Sequence, residues 1–257
     1  MTLQRAGGAA AFSASAHDYA ATMTPALAPM AAEVVRRAAL RAGETVLDVG
    51  TGTGTAAALA RGDGRRIIGL DAASGMLAIA RRHAPDVEFL DADFLHIPVP
   101  DAAVHVVTAV HSLLFAEDRE AALREWRRVA RSDGRLSLSV PGPGNVVPAT
   151  VFGAVYDRYG IEWGDDYPVP DDVAGWARSA GWSNVVVDAD PSTVIRLADE
   201  ETFRIWLRVG ARGRATGEWS DERREQFTLE LMEAAPRDAA GAFRLPFGTI
   251  YLTAGHR

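Results

Sequence analysis

Residues 46–54 read VLDVGTGTG and place Asp48, Gly50, Gly52 and Gly54 in a D-x-G-x-G-x-G pattern. Glycines at alternate positions strip a turn of side chains, so ligand atoms can reach the backbone. A dinucleotide fingerprint would need its third glycine where Thr55 stands, and a phosphate loop would need a lysine, which this chain lacks altogether. The acid lies before the turn, near the place where a dinucleotide fold presents a diphosphate. A ligand with a positively charged end suits that arrangement better.

Two further acids extend the pattern. Asp71 closes the apolar run RIIGL, seventeen residues after Gly54, and an acid there can accept hydrogen bonds from both hydroxyls of a ribose. That feature selects nucleosides without choosing among them. Asp93 and Phe94 follow a third apolar run; a carboxylate there can accept from an adenine amino group while the ring packs on the base. Each has a plainer reading: a tight strand-to-helix turn for the glycines, a helix-dipole acid for Asp71, a turn residue for Asp93, core for Met76 and Phe94.

His111 directly follows VHVVTAV, at the carboxyl edge where open α/β sheets take ligands. Titrating near neutrality, it could take a proton from a phenol, enol or amine, or else simply line the pocket. His17, Asp18 and Tyr19 form a second cluster. His83 and His96 read as surface residues and His256 as terminal; no spacing among the six histidines and the acids suggests a metal site.

These residues need a scaffold. TVLDV (45–49), RIIGL (66–70), VEFL (87–90), VHVVTAV (104–110) and RLSLSV (135–140) are continuous apolar runs, as expected of strands buried on both faces of a parallel sheet. Helical patterns at 53–61, 74–83 and 117–131 separate them, the last with Ala122, Leu123, Trp126, Val129 and Ala130 on one face and Gly134 as its stop. Beyond PGPGNVVP the pattern predicts helices at 149–159, 171–180, 199–210 and 220–235, the last capped by Ser220, with strands at 184–190 and 247–255. Trp163, Tyr167, Phe203 and Trp206 give this half an aromatic character suited to an apolar or ring-bearing acceptor, and Arg204, Arg208, Arg212 and Arg214 could meet a carboxylate or phosphate.

In order, VLDVGTGTG, GLDAASGMLAIAR, DADFLHIPVPDAAVHVV and EDREAALREWRRVARSDGRLSLSVP resemble the motifs of the class I S-adenosylmethionine-dependent methyltransferases, in particular the small-molecule branch of ubiquinone and menaquinone biosynthesis. The likeness covers roughly residues 40–141. It implies an α/β, Rossmann-like, doubly wound sheet of seven strands, mostly parallel with the last antiparallel, under a helical cap. It divides the chain into an N-terminal helical lid (1–40), a cofactor-binding core (41–141) and a C-terminal half (142–257) with cap insertions at about 149–180 and 199–235. The cofactor implied is S-adenosyl-L-methionine. Asp48 and Gly50 would lie beside its methionine part, with Gly52 and Gly54 completing the loop. Asp71 and Ala72 would meet the ribose, Met76 would flank the adenine, and Asp93 with Phe94 would hold the base. Tyr19 would reach in from an N-terminal helix, and His111 would line the cofactor or act as the catalytic base. The chain departs from the family pattern at His105, where an aspartate is usual, and at Ser132-Asp133, where proline-glycine is usual.

Composition sets outer bounds. The chain has 257 residues, 48% hydrophobic and 24% charged, with net charge −7 and no cysteine. Disulfides, thiolate metal sites, cysteine nucleophiles and Schiff-base lysines are excluded, and a general nucleic-acid or anionic-membrane surface is disfavoured. The alanine-rich start resembles a signal peptide without its leucine-rich centre, so a cytoplasmic location is expected. The expected function is methyl transfer to a small molecule by a monomer or homodimer. The competing readings are an NAD(P)-dependent oxidoreductase, against which Thr55 and the missing Tyr-x-x-x-Lys pair count, and a non-catalytic S-adenosylmethionine-binding protein.

Overall fold

Strands and helices alternate through the computed structural model, which describes residues 8–142, 151–161, 167–209 and 215–255. Two helices, α1 (Ala9–Ala14) and α2 (Ala16–Arg37), come first. There follow β1 (Thr45–Val49), α3 (Thr55–Leu59), β2 (Arg66–Asp71), α4 (Ser74–His83), β3 (Glu88–Asp91) and β4 (Val104–Val110). After a 3-10 turn at Leu113–Phe115 come α5 (Arg119–Val129), β5 (Ala130–Pro141), α6 (Gly153–Tyr159), α7 (Pro170–Ser179) and β6 (Ser183–Asp190). The last part holds β7 (Val194–Leu197), α8 (Glu200–Arg208), α9 (Asp221–Ala234), β8 (Phe243–Pro246) and β9 (Thr249–Gly255).

Seven strands form one sheet in the order β3-β2-β1-β4-β5-β9-β6, and β7 with β8 makes a separate ribbon. The pairs from β3 to β5 are parallel, while β9 runs antiparallel to both β5 and β6. This is the mostly parallel, seven-stranded sheet implied above. The apolar runs are continuous because both faces are covered. Leu47, Ile68 and Val107 pack under Trp126 of α5 and Val173 and Ala177 of α7. Their neighbours Val46, Ile67 and Val106 pack on the opposite face with Ala38, Ala57 and Ala60.

Several local expectations change. The fifth helix ends at Val129 rather than at the expected 131, because Ala130 is extended and already pairs with Val104. The ladder then jumps to Val106↔Arg135, so Ser132, Asp133 and Gly134 form an outward excursion within the strand segment. His105, where the family usually has aspartate, accepts the Thr45 amide at its Nδ1 at 3.0 Å and ties β4 to the start of β1. Ser220 does cap α9, accepting from the Arg223 amide at 3.3 Å. The β7–β8 ribbon was not anticipated, its strands being four residues each.

A further core lies outside the sheet. Met23, Leu27 and Met30 of α2 join Phe152, Tyr156, Phe203, Trp206, Phe227 and Phe243 from the C-terminal half. Phe203 and Trp206, expected near an acceptor, are wholly enclosed in it. Trp163, Gly210, Arg212, Arg214 and His256, for which the sequence raised expectations, lie outside the described residues.

Candidate active site

The parallel register lines up the chemistry along one edge. Asp48 sits opposite Gly69 and Thr108, Asp71 opposite Asp91, and Val110 opposite Ser139. Beyond β1 the chain turns through Gly50 and Gly52 at φ +68° and +56°, a region glycine enters without penalty. The two serve different ends. A Cβ on Gly50 would lie 2.3 Å from Ser112 Cβ, so its bareness lets the loop press against the end of β4. At Gly52 no atom lies within 4 Å of such a Cβ, which leaves open space above it. Gly54 packs against Ala80 and Phe89 and serves the loop rather than its mouth.

Both acids are held by hydrogen bonds. Asp48 is 2% exposed; it accepts from Thr51 Oγ1 at 2.6 Å and from Thr108 Oγ1 at 2.9 Å. Burial pushes its carboxyl up to about 6 from an ordinary 3.8. Asp71 Oδ2 accepts the Gly52 amide at 2.8 Å and Oδ1 accepts the Ala73 amide at 2.8 Å. Burial raises its pKa as well, against the pull of those amides. The Asp71 carboxylate therefore faces the glycine turn, with lone pairs left over for a ligand. A rim of this kind favours a cation.

Tyr19, Thr24, Leu27 and Ala31 of α2 roof the loop and, with Asp48, Gly50, Gly52, Thr53 and Val110 among others, enclose a cavity of about 40 Å³. Burial and the nearby Asp71 carboxylate push the Tyr19 phenol up. Of the other expected residues, Met76 is 2% exposed and packs beneath Ala16 and Phe12, and Ala72 is exposed. Asp93 stands in an exposed turn and accepts the Leu95 amide at 2.6 Å. Phe94 packs on the main core, its carbonyl accepting Trp126 Nε1 at 3.1 Å. None of these four lines that cavity. Conversely, Thr24, Thr51, Thr53, Thr108 and Ser112 were missed. Four of them lie within the glycine motif or at the end of β4 and were visible as hydroxyls, whereas Thr24 reaches Thr53 across the sequence at 2.7 Å.

His111 departs from its expected chemistry. It holds φ +54°, its amide donates to the Ser139 carbonyl at 2.9 Å, and its ring meets Phe247 edge-on at 5.2 Å. It is 7% exposed, and both ring nitrogens are buried without a hydrogen-bond partner. Burial pushes its pKa down to about 3, so a near-neutral base is replaced by a neutral, weakly basic imidazole. A buried unpaired polar group and a left-handed backbone each destabilise, and they persist where a function holds them.

A larger cavity, about 320 Å³, lies among α6, α8 and α9, with Tyr156, Ile161, Leu207 and Phe227 in its walls. Arg204 and Arg208, expected as anion contacts, are already engaged there: Arg204 with Glu225 at 2.5 Å, Arg208 with Asp18 at 3.1 Å. Among the described residues no cluster of His, Asp and Glu could hold a metal, and no helix is long and apolar enough to cross a membrane.

Comparison with known proteins agrees with this geometry. The methyltransferase-domain family matches residues 47–138. A demethylmenaquinone methyltransferase from Thermus thermophilus is 41% identical over 126 residues, covering 46% of this chain and 56% of that protein. One from Renibacterium salmoninarum is 30% identical over 164 residues, covering 56% of this chain and 68% of that protein. A malonyl-[acyl-carrier protein] O-methyltransferase from Serratia marcescens is 36% identical over 104 residues, 40% of this chain and 41% of that protein. The chain spans about half the length of the Thermus protein and of a demethylmenaquinone methyltransferase from Beutenbergia cavernae, 48% of which is matched. In fold, the chain is similar to the [4+2]-cyclase SpnF, with TM-score 0.58 at 21% identity, covering 89% of this chain and 81% of that one. With glycine turn, edge acids, strand order and sequence kinship all in agreement, the chain belongs to the class I S-adenosylmethionine-dependent methyltransferases, in the branch that includes quinone-biosynthesis enzymes.

Proposed function

We propose that this protein transfers a methyl group from S-adenosylmethionine to a small-molecule acceptor. The observation that carries the reading is Asp71, whose carboxylate accepts the Gly52 amide beside the one open patch of the glycine turn. An acid and a bare backbone at that spot fit a nucleoside with a cationic end; a dinucleotide would set its diphosphate against them. When bound, S-adenosylmethionine supplies an electrophilic methyl on a sulfonium.

The chain's own task is then alignment and enclosure. In-line displacement gains most from holding acceptor and methyl close and collinear. In this reading Asp71 and Ala72 bind the ribose, Asp48 and Gly50 hold the methionine end, and Tyr19 closes the roof. Met76, Asp93 and Phe94 serve the adenine, and Gly52 and Gly54 shape the turn. His111 acts on the acceptor side: its neutral imidazole accepts or donates one hydrogen bond and so orients the acceptor atom, while the acceptor's proton leaves to water. The acceptor sits under the helices of the C-terminal half, and Phe247 beside His111 suits a flat apolar framework. The names of the relatives span demethylmenaquinone and malonyl-carrier-protein acceptors, two unlike chemistries. The acceptor must therefore be read from this chain's own cap. A cytoplasmic monomer or homodimer that does not bind nucleic acid accords with the net charge of −7.

Titration calorimetry with S-adenosylmethionine, S-adenosylhomocysteine and NAD tests the reading. Binding of both sulfur nucleosides and not NAD is expected; NAD binding alone would overturn it in favour of an oxidoreductase. A labelled-methyl assay over hydroxylated aromatic and enolic metabolites then separates catalysis from mere binding.

A further inference from the structure

We infer that Ser139 is a second acceptor-binding residue, which together with His111 forms a two-point seat for the oxygen of a hydroxyl-bearing acceptor. That this oxygen is the atom methylated rests on the function proposed above; the seat itself rests on the sheet.

β5 shows why Ser139 stands out. Side chains alternate across a strand, and Leu136, Leu138 and Val140 all enter the core beneath α5 and α7. Ser137 and Ser139 therefore face α2, and Ser137 donates to the Val34 carbonyl of that helix at 2.8 Å. Ser139 lies two residues nearer the carboxyl edge and is fully enclosed, at a place where a β-branched apolar side chain would pack well. Nearby hydroxyls are committed. Thr108 donates to Asp48 at 2.9 Å, Ser112 to the Val49 carbonyl at 2.7 Å and Thr249 to the Phe247 carbonyl at 3.1 Å. Ser139 Oγ is buried with no partner. Such an atom costs stability, and a bound polar atom would restore what it lacks.

The strand register puts this hydroxyl beside the site. Ser139 stands opposite Val110 of β4 and Tyr251 of β9, and paired residues share a face of the sheet. Val110 lines the cavity over the glycine turn, so Ser139 lies one strand beyond it, about 4.8 Å farther from the cofactor acids. His111 follows Val110 directly; its amide donates to the Ser139 carbonyl at 2.9 Å, and its ring rests on Phe247. Both of its ring nitrogens are buried without a partner as well. Two neighbouring residues thus carry three unmet polar atoms at the acceptor end of the cavity.

A hydroxyl oxygen fits this pair. It offers its proton to the imidazole and one lone pair to the Ser139 hydroxyl, and it keeps its second lone pair for the methyl. On transfer that second pair forms the O–C bond while the S–CH3 bond breaks. The electrons of the broken bond stay on sulfur as a neutral thioether, and the proton leaves to water. A neutral amine has a single lone pair, which the methyl needs, so the Ser139 proton would stay unmatched. The seat selects oxygen over nitrogen.

The test uses the full chain saturated with S-adenosylhomocysteine, with phenol and aniline as probes and ligand-observed NMR titration as the readout. The wild type should bind phenol about fivefold or more tighter than aniline, and Ser139→Ala should bring the two within about twofold of each other. Ser139→Thr keeps the hydroxyl and should keep the preference. The melting temperature of Ser139→Ala should equal or exceed that of the wild type, since no hydrogen bond within the protein is lost. A merely structural serine would lower it and leave the preference unchanged. Ser139→Cys, close in size and a weak donor, takes the place of the alanine variant if that one fails to fold. A wild type that does not bind phenol or does not prefer it, or a preference that survives in Ser139→Ala, would overturn the seat. If S-adenosylhomocysteine does not bind while the ligand-free protein still prefers phenol through Ser139, the seat stands and the methyl-transfer reading falls. If both fail, both fall.

Discussion

Replacing His111 with phenylalanine isolates the oddest group in the site. The histidine is neutral when folded, with its pKa pushed down to about 3 from an ordinary 6.5 by burial. A folded value below the unfolded one means that protons favour the unfolded chain. Stability from this group is complete above pH 6.5 and is lost as pH falls through that value toward 3. At pH 5.0 the unfolded histidine carries its proton and the folded one does not. Integrating the proton difference from pH 7.5 to 5.0 gives about 2 kcal/mol lost by the wild type and not by His111→Phe. Phenylalanine keeps a flat ring for the contact with Phe247 and brings no nitrogens to leave unpaired. Five other histidines and every carboxylate are common to both proteins, so the difference between the two pH profiles belongs to His111. Urea unfolding at pH 7.5 and 5.0 measures it directly. In melting temperature, the wild type should lose roughly 4–8 °C more than the variant over the same interval. Parallel profiles, within about 0.5 kcal/mol, would mean that the imidazole protonates as easily in the fold as in water. The enclosed neutral histidine would then be wrong.

The glycine turn separates binding from folding. Gly52→Ala places a methyl in open space at φ +56°, so it should reduce stability by only about 1 kcal/mol while weakening S-adenosylhomocysteine binding at least about tenfold by calorimetry. Gly50→Ala drives its Cβ into Ser112 and should destabilise by more than about 2 kcal/mol in urea unfolding; similar losses in both variants would contradict the division of labour. Asp71→Asn should weaken S-adenosylhomocysteine binding by at least about tenfold through loss of charged hydrogen bonds, and an unchanged dissociation constant would remove Asp71 from the site. Asp48 should oppose His111 in its pH dependence. Its folded pKa of about 6 lies above the ordinary 3.8, so its stability contribution is full below 3.8 and lost as pH rises through 6. Between pH 7 and 5 the wild type should gain about 1.3 kcal/mol that Asp48→Asn does not; a gain of the same size in the variant would refute the buried acid.

How much of this the sequence disclosed depended on the range of the contacts. β1 and β4 carry continuous apolar runs, and their observed limits, Thr45–Val49 and Val104–Val110, match the pattern because burial on both faces leaves little freedom in where a run begins and ends. The side-by-side placement of Asp48, Asp71 and the glycine turn was legible for the same reason, since a parallel register with short links brings strand ends together. Gly134 misled because a glycine after a helical run signals a stop, while pairing of Ala130 with Val104 ended the helix at Val129, two residues short of the expected 131. Illegible from the sequence were contacts between distant segments: Ser13 with Gly75, Thr24 with Thr53, and the carboxylate of Asp18 claiming Arg208. Trp206 and Phe203 show a related limit, since an aromatic stripe on a helix looks the same whether it meets a ligand or a core.

The same helix explains why cofactor site and cap belong to one device. Met23 and Leu27 of α2 pack into the cap core with Phe203 and Trp206, while Leu27, Thr24 and Tyr19 roof the glycine turn. One face of one helix thus serves two enclosures, and neither can be opened without disturbing the other. Methyl transfer rewards such coupling, because a sulfonium beside a water-filled cleft invites hydrolysis and gains less from fixed dipoles than one held dry. His111 stands where the two enclosures meet, against Phe247 on the cap side and Ser139 on the sheet side. Its nitrogens have no hydrogen-bond partner within the protein, and in the function proposed above the acceptor is the polar group that would supply one.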